Sequence, residues 1–148
     1  MLETRYRAAR ALPLGAQTRT ASAGSGVSVR PAGAEARFSL RARLAKGAAP
    51  KLAGLPHSLV NVSHRNVGID VSGRQAAAVL NAGCPLDLSE SAFPPGSATR
   101  TLLGKSEIVL IRASAAPLYR VECWRSFSTY VHGLLNEAVF GVEGSAAH

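Results

Sequence analysis

The sequence predicts an α+β fold, a mainly antiparallel sheet with two helices packed on it in the order β-β-α-β-β-β-α. Three observations carry the prediction. Apolar residues alternate with a period of two at Val67, Ile69 and Val71. Three further strand-like runs follow one another with only short turns between them, which favours antiparallel neighbours. The chain then closes on apolar residues at helical spacing: Phe127, Tyr130, Val131, Leu134, Leu135, Ala138 and Val139.

The first fifty residues show no sustained periodicity apart from a short strand around residues 38–44. From Leu55 the pattern sharpens. Residues 59–64 read as a strand with Val60 and Val62 on one face, followed after His64-Arg65 by the alternating strand. Ser72-Gly73-Arg74-Gln75 fits the S-x-x-Q capping box, in which the hydroxyl and the amide side chain each satisfy a free backbone N–H. The helix it opens aligns Ala76, Val79, Leu80 and Gly83. Gly83 is expected to end it in a left-handed conformation, and Pro85 blocks its continuation.

Residues 85–96 read as a loop anchored by Leu86, Leu88 and Phe93 and turned by Pro94-Pro95-Gly96. Strands follow at 98–103, 106–112 and 118–124, with Gly104-Lys105 as a tight hairpin and 114–117 as a looser one. Ile108-Val109-Leu110-Ile111 is apolar at every position, which predicts a strand covered on both faces. Ser126 is expected to cap the last helix, with Ser128, Thr129, His132, Asn136 and Glu137 turned away from the core.

These elements place one folded unit over residues 51–142. Residues 1–50 read as a basic, poorly ordered or diverged segment, and 143–148 as a flexible tail. The net charge of +8 is unevenly placed. Residues 1–50 hold nine Lys and Arg against two acids, Glu3 and Glu35, giving +7; the remaining eight basic and seven acidic residues give +1. A basic arm can neutralise phosphates. Here Arg outnumbers Lys 14 to 3 amid many Ala and Gly, a bias of composition, and no stacked aromatics or recognition helix accompany it. Nucleic acid is therefore not the expected partner.

Cys84 and Cys123 lie far apart, which excludes a disulfide-dense scaffold and a cysteine-based zinc site. Two buried thiols in a reducing compartment, the cytoplasm, are expected. The Arg- and Ser-rich start superficially fits an organellar transit peptide but lacks the apolar core of a secretory signal. No apolar run approaches the roughly 18 residues of a membrane span.

The search for chemistry finds little. Ser63 adjoins His64, but neighbouring strand residues point to opposite faces, so a nucleophile–base pair is not expected. The four histidines, at 57, 64, 132 and 148, form no ligand spacing. Gly104-Lys105-Ser106 matches only the last letters of a phosphate-binding loop, and a strand follows where a helix is required. Asp70, Asp87 and Glu90 default to solvated carboxylates. Trp124-Arg125-Ser126-Phe127 with Tyr130 is different: it concentrates the residue types favoured at interface hot spots, around the only Trp. Trp124, Arg125, Phe127, Tyr130 and Arg100 are the candidate subunit contacts.

The wording of four segments is familiar. Leu55-Pro56-His57-Ser58-Leu59-Val60-Asn61-Val62-Ser63-His64-Arg65 resembles the gamma subunit of heterotetrameric sarcosine oxidase. So does Ala82-Gly83-Cys84-Pro85-Leu86-Asp87-Leu88, with Ala92-Phe93-Pro94 after it. Arg100-Thr101-Leu102-Leu103-Gly104-Lys105 and Trp124-Arg125-Ser126-Phe127 complete the match, in the right order and over more than half of the chain. The chain departs from the family upstream, where a Leu-Gly-Pro-Asp-Glu-Trp segment has no counterpart.

The resemblance implies an aminomethyltransferase-like half domain. It implies an accessory, cofactor-free subunit of an enzyme that oxidatively demethylates sarcosine to glycine, with hydrogen peroxide and methylenetetrahydrofolate as further products. FAD, FMN, NAD, tetrahydrofolate and zinc would be held by other subunits of the complex, and the alpha, beta and delta subunits would be the partners. The alternative is a free-standing folate- or RNA-binding module on that aminomethyltransferase-like fold, using the Arg-rich N-terminus.

Overall fold

The computed structural model describes residues 19–20, 26–32, 38–42 and 57–145. In chain order these form β1 (Arg19–Thr20), β2 (Ser28–Pro31), β3 (Phe38–Ala42), β4 (His57–Asn61), β5 (Asn66–Ser72), α1 (Ala76–Asn81), β6 (Ser97–Leu103), β7 (Ser106–Arg112), β8 (Leu118–Trp124) and α2 (Ser128–Ser145). A 3-10 turn, Arg125–Phe127, leads into α2. From β4 onward this is the order read from the sequence.

The main sheet runs β1-β2-β5-β8-β7-β6, and each adjacent pair is antiparallel. Alternation places Val67, Ile69 and Val71 of β5 on one face with Tyr119, Val121 and Cys123 of β8 and Ile108 and Leu110 of β7, all buried. Both helices pack on this face: Ala76, Val79 and Leu80 from α1, and Val131, Leu135 and Val139 from α2. A fully buried Val or Leu contributes about 1.5–3 kcal/mol, so this layer is the main source of stability. Cys84 and Cys123 are buried free thiols, as expected.

The segment before residue 51 contributes more to the sheet than its composition predicts. β2 lies along β5 with Val29 opposite Val71, and Val27 and Val29 are fully buried. These two valines suffice to seat the strand on the core. The expected strand at 38–44 is present as Phe38–Ala42. The rest of the expected basic segment, residues 1–18, 21–25, 33–37 and 43–50, lies outside the described residues.

Several local expectations are corrected. The expected single sheet is divided: β4 pairs with β3 in a separate two-stranded sheet, because β2 and β8 occupy both edges of β5. The capping box at Ser72 does not form: Gln75 is the N-cap of α1 and makes no side-chain cap bond. Gly73 instead adopts φ +121°, beside the backbone of Gly26. Gly83 is not left-handed. It is required for close approach, since a Cβ there would meet Leu134 Cδ2 at 3.2 Å and its own carbonyl accepts the Gly104 N–H at 2.8 Å. Ser126 lies inside the 3-10 turn, and α2 starts two residues later. α2 also runs to Ser145, into the stretch read as tail.

The expected anchors hold the 85–96 loop: Leu88 and Phe93 are buried and Leu86 is half-buried against the core. β7 is not covered on both faces. Ser106, Ile108, Leu110 and Arg112 are buried, whereas Glu107 is exposed and Val109 and Ile111 are half-buried on the far side.

Candidate interaction surface

Strand alternation builds an uncovered face from the residues that do not point at the helices. In β8 these are Leu118, Arg120, Glu122 and Trp124; in β7, Glu107, Val109 and Ile111; in β6, Ala98, Arg100 and Leu102. Leu102, Leu118 and Trp124 are exposed, Trp124 to 45%. Charges sit between the apolar groups, and two pairs of them are joined. The Arg120 Nε donates to Asp70 Oδ1 at 3.0 Å across the β5–β8 pair, and Arg100 bonds Glu107 across the β6–β7 pair. Pairing lowers the cost of desolvating such a face, because each charge keeps a partner when water leaves.

Trp124 ends β8 opposite Asn66. The Arg65 guanidinium stacks over its ring, 4.5 Å from the centroid. The Arg125 N–H donates to the Arg65 carbonyl at 2.7 Å, which fixes the turn that presents Arg65. Such stacking holds an exposed indole in place and leaves its other side free.

The five expected contact residues do not form one patch. Trp124 and Arg100 share the uncovered face but are two strands apart, about 10 Å in the hydrogen-bonding direction. Phe127 and Tyr130 are exposed at the entry to α2, and Arg125 is half-buried. Tyr130 leans on the β6–β7 hairpin, its hydroxyl accepting the Lys105 N–H at 3.0 Å. Sequence reading missed Leu102 and Leu118 as surface groups. The signal was present: each shares its strand face with charged residues, Leu102 with Arg100 and Leu118 with Arg120 and Glu122.

Ser63 is buried and His64 exposed in the turn after β4. The three carboxylates named from the sequence are apart in role: Asp70 joins Arg120, Glu90 joins Arg112 at 3.3 Å, and Asp87 Oδ1 accepts the Ser89 N–H at 2.8 Å, which lowers the Asp87 pKa. Among the described residues, no group of three His, Cys, Asp or Glu could hold a metal ion. Nor is any helix there long and apolar enough to cross a membrane.

Fold and surface together define a small α+β domain with exposed apolar groups on its sheet face. The chain belongs to the sarcosine oxidase, gamma subunit family, whose model matches residues 19–140. Among solved structures it is similar to a chain of heterotetrameric sarcosine oxidase from Corynebacterium sp. U-96, determined in complex with pyrrole 2-carboxylate. The identity is 26% and the TM-score 0.55, over 61% of this chain and 46% of that one. This chain thus aligns with about half the length of that relative. No curated protein matches it.

Proposed function

We propose that this chain is an accessory, cofactor-free gamma subunit of a heterotetrameric sarcosine oxidase in the cytoplasm. It contributes surface, and the oxidative demethylation of sarcosine to glycine, hydrogen peroxide and methylenetetrahydrofolate takes place in the alpha and beta subunits, with delta completing the complex. FAD, FMN, NAD, tetrahydrofolate and zinc are held by those other subunits. The observation that carries the reading is an exposed Trp124, braced by Arg65, on a sheet face that neither helix covers, in a chain of the gamma subunit family.

Trp124, Arg125, Phe127, Tyr130 and Arg100 are assigned to docking. Trp124 and Phe127 supply apolar area to be removed from water, and Arg100 supplies orientation. Co-expression with the other three subunits tests the reading. The chain should co-purify with them in equal amount and carry no flavin absorbance when isolated. Trp124→Ala should weaken association at least tenfold with little change in the melting of the isolated chain. A stable monomer that ignores the co-expressed subunits would overturn the assignment.

A further inference from the structure

Among the described residues, the main sheet leaves one long edge open. β6 is its last strand, and the strand at the other end, β1, has only two residues. Register fixes which groups of β6 face outward. Leu103 and Ser106 close a two-residue hairpin loop, so Thr99, Thr101 and Leu103 turn their N–H and C=O groups toward β7. Ala98, Arg100 and Leu102 turn theirs outward. Among the described residues no backbone hydrogen bond reaches those three. The strand is seven residues long, contains no proline and pairs residue for residue with β7 from Ala98 to Leu103; its irregularity lies at the start, where the Gly96 N–H reaches the Arg112 carbonyl at 2.7 Å and the Ser97 N–H the Pro94 carbonyl at 3.1 Å. Natural edges are ordinarily blunted by a proline or a bulge, or covered. Between Ala98 and Leu102 this one shows neither among the described residues, and its outward row is in place to accept another strand.

We propose that the free edge of β6 is a strand-pairing site for an extended segment of a partner subunit that carries a carboxylate opposite Arg100. The proposal deepens the subunit reading above and rests on it. Charge selects the occupant. An antiparallel second copy that uses all three outward residues must centre on Arg100, which sets Arg100 against its own counterpart, and like charges directly opposite repel. Arg100 also has capacity to spare. It is 68% exposed and commits one nitrogen, Nη1, to Glu107, leaving the remaining donors of its fork for a second carboxylate. The incoming strand continues the uncovered face, so an apolar residue beside its acid meets Leu102, which is 51% exposed.

Amide hydrogen exchange on the isolated chain and on the co-expressed complex tests this. The Ala98, Arg100 and Leu102 amides should exchange rapidly in the isolated chain and at least about a hundredfold more slowly in the complex. The Thr99 and Thr101 amides, already bonded to β7, should be protected in both. Leu102→Pro removes one outward donor without removing a ladder bond of the sheet, so the variant should fold and associate at least tenfold more weakly. Arg100→Glu should weaken association similarly. If the proline variant does not fold, the exchange pattern alone decides. Unchanged exchange at the three amides, in a complex that Trp124→Ala weakens, would sink the edge proposal and leave the subunit reading standing. Failure of the wild-type chain to associate would sink both. A concentration-dependent dimer of the isolated chain, protected at the same amides, would give the edge to a second copy and overturn the assignment to a partner strand.

Discussion

The Tyr130 hydroxyl accepts the Lys105 N–H at 3.0 Å, joining the first turn of α2 to the β6–β7 hairpin. The contact crosses 25 positions of sequence and explains why Gly104 sits beneath the ring. Gly104 has φ +59°, and a Cβ added there would collide with that same hydroxyl. Tyr130→Phe should therefore cost about 0.5–1.5 kcal/mol, the net value of one hydrogen bond. Gly104→Ala should cost about 1–3 kcal/mol from the left-handed backbone, plus the collision. Only the collision with the ring disappears in a Tyr130→Ala background; Leu134 Cδ2, 2.9 Å from the added carbon, stays. Urea unfolding of the single and double variants checks this, and strict additivity would exclude the coupling.

Gly73 should be the least replaceable of the described glycines. Its φ is +121°, and a Cβ would drive into the carbonyl of Gly26, backbone against backbone. No rotamer relieves that contact, so β2 would have to move off β5. Gly73→Ala should destabilise by more than about 3 kcal/mol, at the severe end for single substitutions. Gly96→Ala is the control: φ is also positive, at +87°, but nothing lies within 4 Å of the added carbon. Equal losses for the two would show that strain, not collision, dominates.

These glycines show what could be read from sequence and what could not. The strand ends at Leu103, Ser106 and Trp124 were readable because alternation and turn residues are local signals. The crossing of Gly26 and Gly73 joins distant segments, and no local pattern announces it. The face of α2 misled for a different reason. Hydropathy put Phe127 and Tyr130 inward and Ser128, His132 and Asn136 outward; the structure reverses all five. Polar side chains become tolerable inside when they bond one another, and the Asn136 amide nitrogen lies 3.1 Å from His132 Nδ1. A reading by residue type does not register such pairing. Of the expected contact residues, exposure of Trp124, Phe127 and Tyr130 agrees with a surface role, but their division between sheet face and helix entry required the register of β8.

Arg112 clasps the 85–96 loop to the sheet. It is buried, donates from Nη1 to the Phe93 carbonyl at 2.9 Å, and lies 5.7 Å from the centroid of Tyr119. Its ion partner Glu90 is 79% exposed, so water already screens that bond. Arg112→Met should cost about 1–3 kcal/mol, because the Phe93 carbonyl loses its donor. Glu90→Ala should cost less than about 1 kcal/mol. Proteolysis within residues 85–96 should rise in the first variant and not in the second.

His132 should make the fold acid-sensitive. Desolvation lowers its pKa below the ordinary 6.5. Its Nδ1 faces the Asn136 amide and accepts from it, so the neutral ring carries its proton on Nε2, which is buried without a partner. The unfolded chain takes up a proton near pH 6.5, while the folded chain resists charging the ring. Below that pH the unfolded state binds more protons, so stability falls as pH drops; above it the contribution vanishes. Unfolding free energies measured between pH 7.5 and 5 should decline more steeply for wild type than for His132→Gln, which has no titrating group there. Parallel profiles for the two proteins would mean that His132 charges freely in the fold and that another group governs the acid limb.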